Sequence, residues 1–234
     1  MVRNVATRLG ELVENVVFLG GAATTLLITD SAANDVRPTI DVDVIVEVTT
    51  TAEYHRLAEQ LRERGFREDT SEDAPLCRWL IGRMIVDIMP INEASLGFSN
   101  RWYRAAYEQA MTMEIDGLLI RVVTGPYFLA TKLDAFHGRG NGDFIASHDM
   151  EDIIALIDGR SELVDEIAQG PEDLRMHLTE TFRKLLRNER FLEALPGHLA
   201  GDTASQQRLP ILETRLNKIA EMARERCKEP LIPQ

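Results

Sequence analysis

Apolar and acidic residues alternate along one short stretch of this chain, from Asp41 to Val48. The even-numbered positions are all valine, whereas Asp41, Asp43 and Glu47 occupy odd-numbered positions. Successive side chains of a β-strand point to opposite faces, so the pattern predicts a strand with one apolar and one acidic face. Such a face is often simply half exposed to solvent. Two carboxylates two residues apart nevertheless repel each other unless a cation lies between them.

A shorter apolar run lies upstream of this strand. Residues 16–19 predict a buried strand and residues 22–29 predict a helix, with Gly20 and Gly21 at the turn between them. Glycines leave the backbone N–H groups accessible, and the N-terminus of a helix favours anions. The glycine pair therefore indicates a binding site for phosphate.

The spacing of apolar residues divides the rest of the chain into a part with strands and helices and a part with helices alone. Before residue 124 the patterns predict helices over 3–14 and 51–64, and hairpins of 76–81 with 84–89 and of 111–115 with 118–123. After that point they predict helices alone, over 126–137, 148–158, 161–169, 171–187, 189–195 and 206–226. We therefore expect an α/β (α+β) lobe with a mixed sheet over 1–124, a helical lobe over 125–234, and an active site in the cleft between them.

Composition narrows the class of protein. Of the 234 residues, 44% are hydrophobic and 27% are charged, as in ordinary globular proteins. We see no membrane-length apolar run and no signal-peptide pattern, so we expect a cytoplasmic protein without membrane contact. Cys77 and Cys227 match no metal or redox spacing.

The formal net charge of −12 argues against broad, non-specific binding of nucleic acid. It leaves room for a local basic groove, and five basic residues cluster between Arg175 and Arg190. A solvated helix face is the simpler interpretation of that cluster.

Further candidate site residues surround the acidic strand. Asp87 lies in the apolar run 84–89, where an unpaired charge would cost several kcal/mol, so it indicates either a functional site or a structural salt bridge. Thr39 falls on the same strand face as Asp41 and Asp43, and Arg37 lies one step further back.

The helix over 126–137 carries Lys132 within an apolar stripe, between Phe128 and Phe136. Lys132 either extends to solvent, meets phosphate, or pairs with Asp149 or Asp152, which share a face of the next helix. Acidic residues in a first helical turn also occur for dipole reasons alone. We expect methionine in place of Lys132 to preserve packing and to change the melting temperature little.

These residues together suit one reaction. Nucleotidyl transfer needs a phosphate cradle, carboxylates that hold Mg²⁺ or Mn²⁺, and a positive group near the developing charge. Gly20 and Gly21 would form the cradle, and Lys132 would supply the positive charge. Asp41, Asp43 and Asp87 would be the metal ligands, since oxygen donors suit a hard cation. Asp149 or Asp152 would orient Lys132 or accept a proton from the attacking hydroxyl.

Two segments, 18–24 and 37–46, resemble the G-G/S motif and the D-x-D strand of polymerase-β-type nucleotidyltransferases, with Asp87 as the third carboxylate. Segments 126–136 and 147–154 look like the lysine helix and the D-x-x-D helix of the AbiEii branch. That branch consists of nucleotidyltransferases found as toxins of toxin–antitoxin and phage-defence loci. Thr39 stands where the family more often has serine, and His148 stands where a basic residue often precedes the first acid.

The resemblance implies a polymerase-β-like core followed by a helical lobe. It also implies that NMP moves from an NTP to a hydroxyl acceptor with release of pyrophosphate, with Gly20, Gly21, Arg37 and Thr39 binding the nucleotide. For this branch the acceptor would be tRNA, and a cognate antitoxin would be a partner.

Three alternatives stay open. An aminoglycoside-type nucleotidyltransferase would act on a small molecule, and a degenerate member would only bind a partner. A dinucleotide-binding Rossmann unit would use Glu47 as its ribose-binding acid, although the second and third glycines of its fingerprint are missing.

Overall fold

The computed structural model describes residues 1–92, 95–97, 99–140 and 142–225. The chain forms two compact units, one made of residues 1–27 and 36–131, the other of residues 28–35 together with the described residues from 132 onward. The division after Thr131 falls inside a helix, seven residues beyond the boundary expected after residue 124. Segment 28–35 belongs to the second unit although it precedes the acidic strand.

The first unit contains a seven-stranded mixed sheet with strand order β3-β4-β5-β2-β1-β7-β6. Its strands are β1 Val16–Leu19, β2 Asp41–Val46, β3 Arg67–Glu68, β4 Arg78–Ile81, β5 Met84–Pro90, β6 Met111–Ile115 and β7 Leu118–Val122. Strand β2 runs parallel to β5 and β1 runs parallel to β7, whereas the other neighbours are antiparallel. The α/β (α+β) class with a mixed sheet is confirmed.

Burial explains the two patterns that predicted the central strands. All four residues of β1 are buried, as expected for a strand covered on both faces. In β2 the valines are buried and the two aspartates are half buried, so the strand has the predicted apolar and acidic faces.

Among the described residues of the first unit, the helices that accompany the sheet before residue 125 are α1 Val2–Leu9, α2 Gly20–Leu27, α3 Thr51–Glu63 and α4 Tyr103–Glu108. The leading helix predicted over 3–14 ends early, because Gly10 adopts a φ of +57° and the chain continues as a 3₁₀ helix, Gly10–Asn15. Thr50 caps α3 in a capping box with Glu53. The short elements α4 and β3 escaped prediction because they lack a full period of apolar residues.

Both predicted hairpins form. The second turns at Asp116 and Gly117, whose φ angles of +49° and +83° match the turn that suits two twisted antiparallel strands. The first turns at Gly82 and Arg83, which pairs β4 with β5 in antiparallel register.

Helix α5, Gly125–Arg139, runs across the division between the units. The second unit then contains α6 His148–Gly159, α7 Leu163–Gln169, α8 Glu172–Leu185, α9 Glu189–Ala194, α10 Thr203–Gln206 and α11 Leu209–Glu225. The described residues from 125 onward contain no strand, as predicted. The helix expected over 206–226 begins only at Leu209, and its last predicted residue lies outside the described part of the chain.

The second unit buries an ionic cluster around Arg208. The Arg208 guanidinium donates to both carboxylate oxygens of Asp158, at 2.9 and 2.8 Å, and to Asp30 at 2.7 Å. Asp158 is only 2% exposed. The hydrogen bond from Arg208 lowers the pKa of Asp30. The backbone N–H groups of Thr29 and Asp30 also donate to the Gly159 carbonyl at the end of α6, which anchors segment 28–35.

Two smaller predictions concern membrane contact and the cysteines. Within the described residues, no helix is both long enough and apolar enough to cross a membrane. Cys77 is a buried free thiol, whereas Cys227 lies outside the described residues.

Replacing Arg208 by methionine should destabilise the protein strongly. The substitution leaves the Asp158 carboxylate buried without its cation, and breaking one side of a buried pair costs about 3–5 kcal/mol. Chemical unfolding followed by circular dichroism measures the change. Arg187→Met, which removes an exposed arginine of the same unit, is the control and should change stability by less than about 0.5 kcal/mol. Equal midpoints for the two variants would contradict a stabilising role for the cluster.

Candidate functional site

The acidic face of β2 carries two half-buried carboxylates, Asp41 and Asp43. Thr39, in the irregular segment before the strand, donates its hydroxyl to Asp41 Oδ1 at 2.5 Å. Asp43 lies opposite Leu19 in the antiparallel register of β1 and β2, next to the point where β1 passes directly into α2. The pairing thus brings Asp43 to the first residue of that helix.

Position 20 requires glycine, because the Asp43 carboxylate lies close to its backbone. A Cβ atom on Gly20 would overlap Asp43 Oδ2 and lie 2.6 Å from its Cγ, and the Gly20 φ of +69° also disfavours other residues. The glycines were predicted to form a turn before a helix starting at residue 22, but Gly20 and Gly21 are the first two, buried residues of α2. The Asp43 carboxylate therefore lies against a helix N-terminus, where negative charge is favourable.

Asp87 is held by Arg78, a residue that the apolar and acidic patterns did not indicate. In the register of β5, Asp87 lies opposite Asp43 of β2 on one side and opposite Arg78 of β4 on the other. Arg78 donates from Nε to Asp87 Oδ1 at 2.9 Å and from its terminal nitrogen to Oδ2 at 2.8 Å. The salt bridge left open for Asp87 from its sequence is thus present. The predicted hairpin could have revealed it, because a two-residue turn at 82–83 pairs residue 78 with residue 87.

The pKa values of two side chains near this face are raised, those of Arg78 and Cys77. The hydrogen bonds from Arg78 to Asp87, together with the charges of Asp87 and Asp41, raise the pKa of Arg78. Burial raises the pKa of Cys77 to about 12, and the charges of Asp87 and Asp43 add to the effect. The Cys77 thiol is therefore protonated at neutral pH and is a poor nucleophile.

Arg37, predicted to bind nucleotide, lies with Thr39 before β2 rather than in the strand. It is half buried, and its side chain donates to the Pro38 carbonyl at 3.2 Å. The structure thus places Arg37 and Thr39 beside the start of the acidic strand along the chain.

Lys132 and two aspartates form a separate charged cluster in the second unit. The Lys132 ammonium, on α5, lies 3.0 Å from Asp149 Oδ1 and 2.7 Å from Asp152 Oδ2, both on α6. Lys132 is 8% exposed and Asp152 is 1% exposed. Lys132 therefore does not extend to solvent, and the predicted pairing with Asp149 or Asp152 occurs with both. Ser147 caps α6 by accepting from the Met150 N–H, which fixes the first turn that carries Asp149.

The Rossmann alternative is wrong. A Rossmann unit needs two parallel strands joined by a helix, whereas β1 and β2, which flank α2, are antiparallel. Glu47, its proposed ribose-binding acid, is exposed and follows the last residue of β2.

The basic cluster between Arg175 and Arg190 is only in part a solvated face. Arg175 donates to the carbonyls of Ala168 and Gly170, and Arg183 donates to the Ala220 carbonyl. The remaining members, Lys184, Arg187 and Arg190, are exposed.

No group of three His, Cys, Asp or Glu residues arranged to hold a metal ion is found in the described ranges. The strand register nevertheless places Asp43 beside Asp87, and Asp41 lies two residues before Asp43 on the same face of β2. The three acids are all oxygen donors, which is the chemistry that Mg²⁺ or Mn²⁺ requires. The donor set fits a hard cation, with Asp87 already paired to Arg78.

No protein-family model matches the sequence, and no curated protein matches it. Among solved structures, the chain is similar to an antigenic nucleotidyltransferase-like protein from Paracoccidioides brasiliensis, with 21% identity, a TM-score of 0.47, and coverage of 82% of this chain and 91% of that one. It is also similar to JHP933 from Helicobacter pylori, with 13% identity, a TM-score of 0.48, and coverage of 97% and 93%. At these values neither likeness assigns an activity or a functional residue to this chain.

Gly20→Ala should destabilise the first unit. The positive φ costs about 1–2 kcal/mol for a residue with a Cβ, and the overlap with Asp43 adds roughly 1–3 kcal/mol. Thermal unfolding measures the loss. Gly138→Ala is the matched control, because Gly138 is exposed in α5 with nothing within 4 Å of its Cβ position, and alanine there should stabilise slightly. An unaffected Gly20→Ala protein would rule out the close approach of Asp43.

Lys132→Met should also destabilise, which reverses the expectation drawn from the sequence. Without the ammonium, the buried Asp149 and Asp152 repel each other, a loss of about 3–5 kcal/mol in chemical unfolding. Adding Asp149→Asn and Asp152→Asn to the same protein should recover most of that loss. Lys184→Met, at an exposed position, is the control. A Lys132→Met protein as stable as this control would show that the pairing contributes nothing.

Proposed function

We propose that this protein is a nucleotidyltransferase that depends on a divalent cation and moves NMP from an NTP to a hydroxyl acceptor. The observation that carries the proposal is the contact of Asp43 with Gly20. It brings a carboxylate of the acidic strand next to the N-terminus of α2. A cation held by the carboxylate would then lie close to an anionic ligand bound at the helix N-terminus.

Asp41 and Asp43 are the residues that would hold the Mg²⁺ or Mn²⁺ ion. The Thr39 hydroxyl donates to Asp41 and so orients it before any ligand binds, and the lack of a side chain on Gly20 leaves the space that the Asp43 carboxylate occupies. When bound, a divalent cation in such a site neutralises charge on the phosphates of the nucleotide. Asp87 completes the acidic face from the neighbouring strand.

In this proposal the residues near α2 and on the acidic face have distinct roles in nucleotidyl transfer. The N–H groups at the start of α2 would bind phosphate oxygens, with Gly20, Gly21, Arg37 and Thr39 as the nucleotide-binding set. The acceptor oxygen would form a bond to the α-phosphorus while the bond from that phosphorus to the bridging oxygen of the β-phosphate breaks, and pyrophosphate leaves. The hydroxyl proton would pass to a carboxylate oxygen of the acidic face.

The Lys132 cluster changes one assignment made from the sequence. Asp149 and Asp152 are both engaged by Lys132 and are almost fully buried, which favours the role of orienting Lys132 over that of accepting a proton. Lys132 itself is proposed as a positive group that supports transfer.

The resemblance of segments 126–136 and 147–154 to the AbiEii branch supports tRNA as the acceptor, and with it a toxin that has a cognate antitoxin partner. The exposed Lys184, Arg187 and Arg190 offer a local positive charge for RNA. The net charge of −12 favours the other candidate, a small-molecule acceptor of the aminoglycoside type.

One experiment separates these acceptors. Each labelled NTP is offered with Mg²⁺ to total tRNA, to lysate protein and to an aminoglycoside panel, and the labelled fraction identifies the acceptor class. Label in tRNA that falls steeply with added salt supports the RNA proposal. Label in an aminoglycoside, with little dependence on salt, supports the small-molecule candidate. Absence of label in every fraction would contradict nucleotidyl transfer.

Asp41→Asn and Asp43→Asn should each abolish transfer without unfolding the protein. Both substitutions weaken cation binding, and in the metal-free state both relieve repulsion between neighbouring carboxylates, so melting temperatures should be unchanged or higher. Transfer assays and thermal unfolding on the same samples measure the two effects. Glu47→Gln, which removes an exposed acid just beyond β2, is the control and should retain activity. Full activity in either aspartate variant would remove the acidic face from the mechanism.

A further inference from the structure

The acidic face contains its own cation, Arg78. Its guanidinium donates to both carboxylate oxygens of Asp87, at 2.9 and 2.8 Å, in the bidentate geometry that arginine forms with carboxylates. A guanidinium keeps its charge at any physiological pH. The charge of Asp41 also acts on Arg78, so the interaction extends beyond a single pair.

Strand register places this cation in line with the proposed metal ligands. Asp43, Asp87 and Arg78 are successive partners across β2, β5 and β4, and neighbouring strands lie about 4.8 Å apart. A divalent cation that uses an oxygen of Asp87 must therefore compete with the guanidinium for it. Asp87 is buried, but the pair is not sealed from solvent, since 27% of the Arg78 side chain and 11% of the Asp87 side chain are exposed.

We propose that Arg78 is a positioning residue that lowers the affinity of this face for divalent cations by occupying Asp87. The first divalent cation is then left to Asp41 and Asp43, and tight binding waits for a nucleotide, whose phosphates supply further oxygens for the ion and an alternative acceptor for the guanidinium. The inference rests on the proposed function of the acidic face, but it concerns cation affinity alone and can be measured without any transfer.

The test is calorimetric titration of the nucleotide-free protein with Mn²⁺. Arg78→Met should bind Mn²⁺ more tightly than the unsubstituted protein, on the order of tenfold, because an adjacent positive charge is removed and Asp87 is released. Arg83→Met is the matched control, since Arg83 is an exposed arginine at the turn of the same hairpin and its loss changes the net charge equally. Screening by solvent should limit its effect to less than about twofold.

A second substitution tests whether the effect passes through Asp87. Asp87→Asn alone should weaken Mn²⁺ binding, because it removes a negative charge beside the site and leaves the charge of Arg78 unneutralised. Arg78→Met should raise Mn²⁺ affinity less in the Asp87→Asn protein than in the unsubstituted protein, because no carboxylate is left there to be released. Arg78→Lys, which keeps the charge, should stay near the unsubstituted protein. If circular dichroism shows that Arg78→Met is unfolded, Arg78→Gln replaces it, with the same expected rise.

The outcomes separate this inference from the proposed function. Equal Mn²⁺ affinities in Arg78→Met and Arg83→Met, or no Mn²⁺ binding by either, would overturn the role of Arg78 even if the protein transfers nucleotides. A lower melting temperature with unchanged affinity would assign Arg78 to structure alone. Tighter binding in Arg78→Met would support the inference even if no acceptor is ever labelled.

Discussion

The parallel pairing of β2 with β5 brings two carboxylates, Asp43 and Asp87, side by side on one face of a sheet. Like charges this close repel each other, and three surrounding groups reduce the repulsion. Arg78 binds Asp87 from the next strand, the N-terminus of α2 lies against Asp43, and Thr39 donates to Asp41. This concentration of partly compensated negative charge is the feature on which the proposed cation site depends.

The two units use buried charge in different ways. In the second unit, buried charges pair with one another: Lys132 binds two aspartates, and Arg208 binds Asp158 and Asp30. Charges satisfied in this way fix the packing of helices. On the acidic face of the first unit, Asp41 and Asp43 are half buried, so their charge is held in place yet stays within reach of a ligand.

Local patterns predicted most of the elements, because the period of apolar residues reports which face of a strand or helix is buried. The strand over β2, both hairpins and the helical second half follow from such patterns. What could not be predicted depends on partners distant in the sequence. The Arg78–Asp87 pair needs the register of a hairpin, and the contact of Gly20 with Asp43 needs the antiparallel pairing of β1 with β2. The pairing of Lys132 with both Asp149 and Asp152 is a contact between two helices, α5 and α6. The pattern of apolar residues within either helix does not reveal it.

The position of segment 28–35 in the chain affects how the two units can be exchanged by recombination. The chain leaves the first unit after residue 27, contributes Asp30 to the Arg208 cluster, and returns to the first unit at residue 36 to form the acidic strand. Neither unit is therefore encoded by one uninterrupted piece of the gene. A single crossover between residues 36 and 131 would separate Asp30 from Arg208, so exchanging the helical segment alone would break this ion pair.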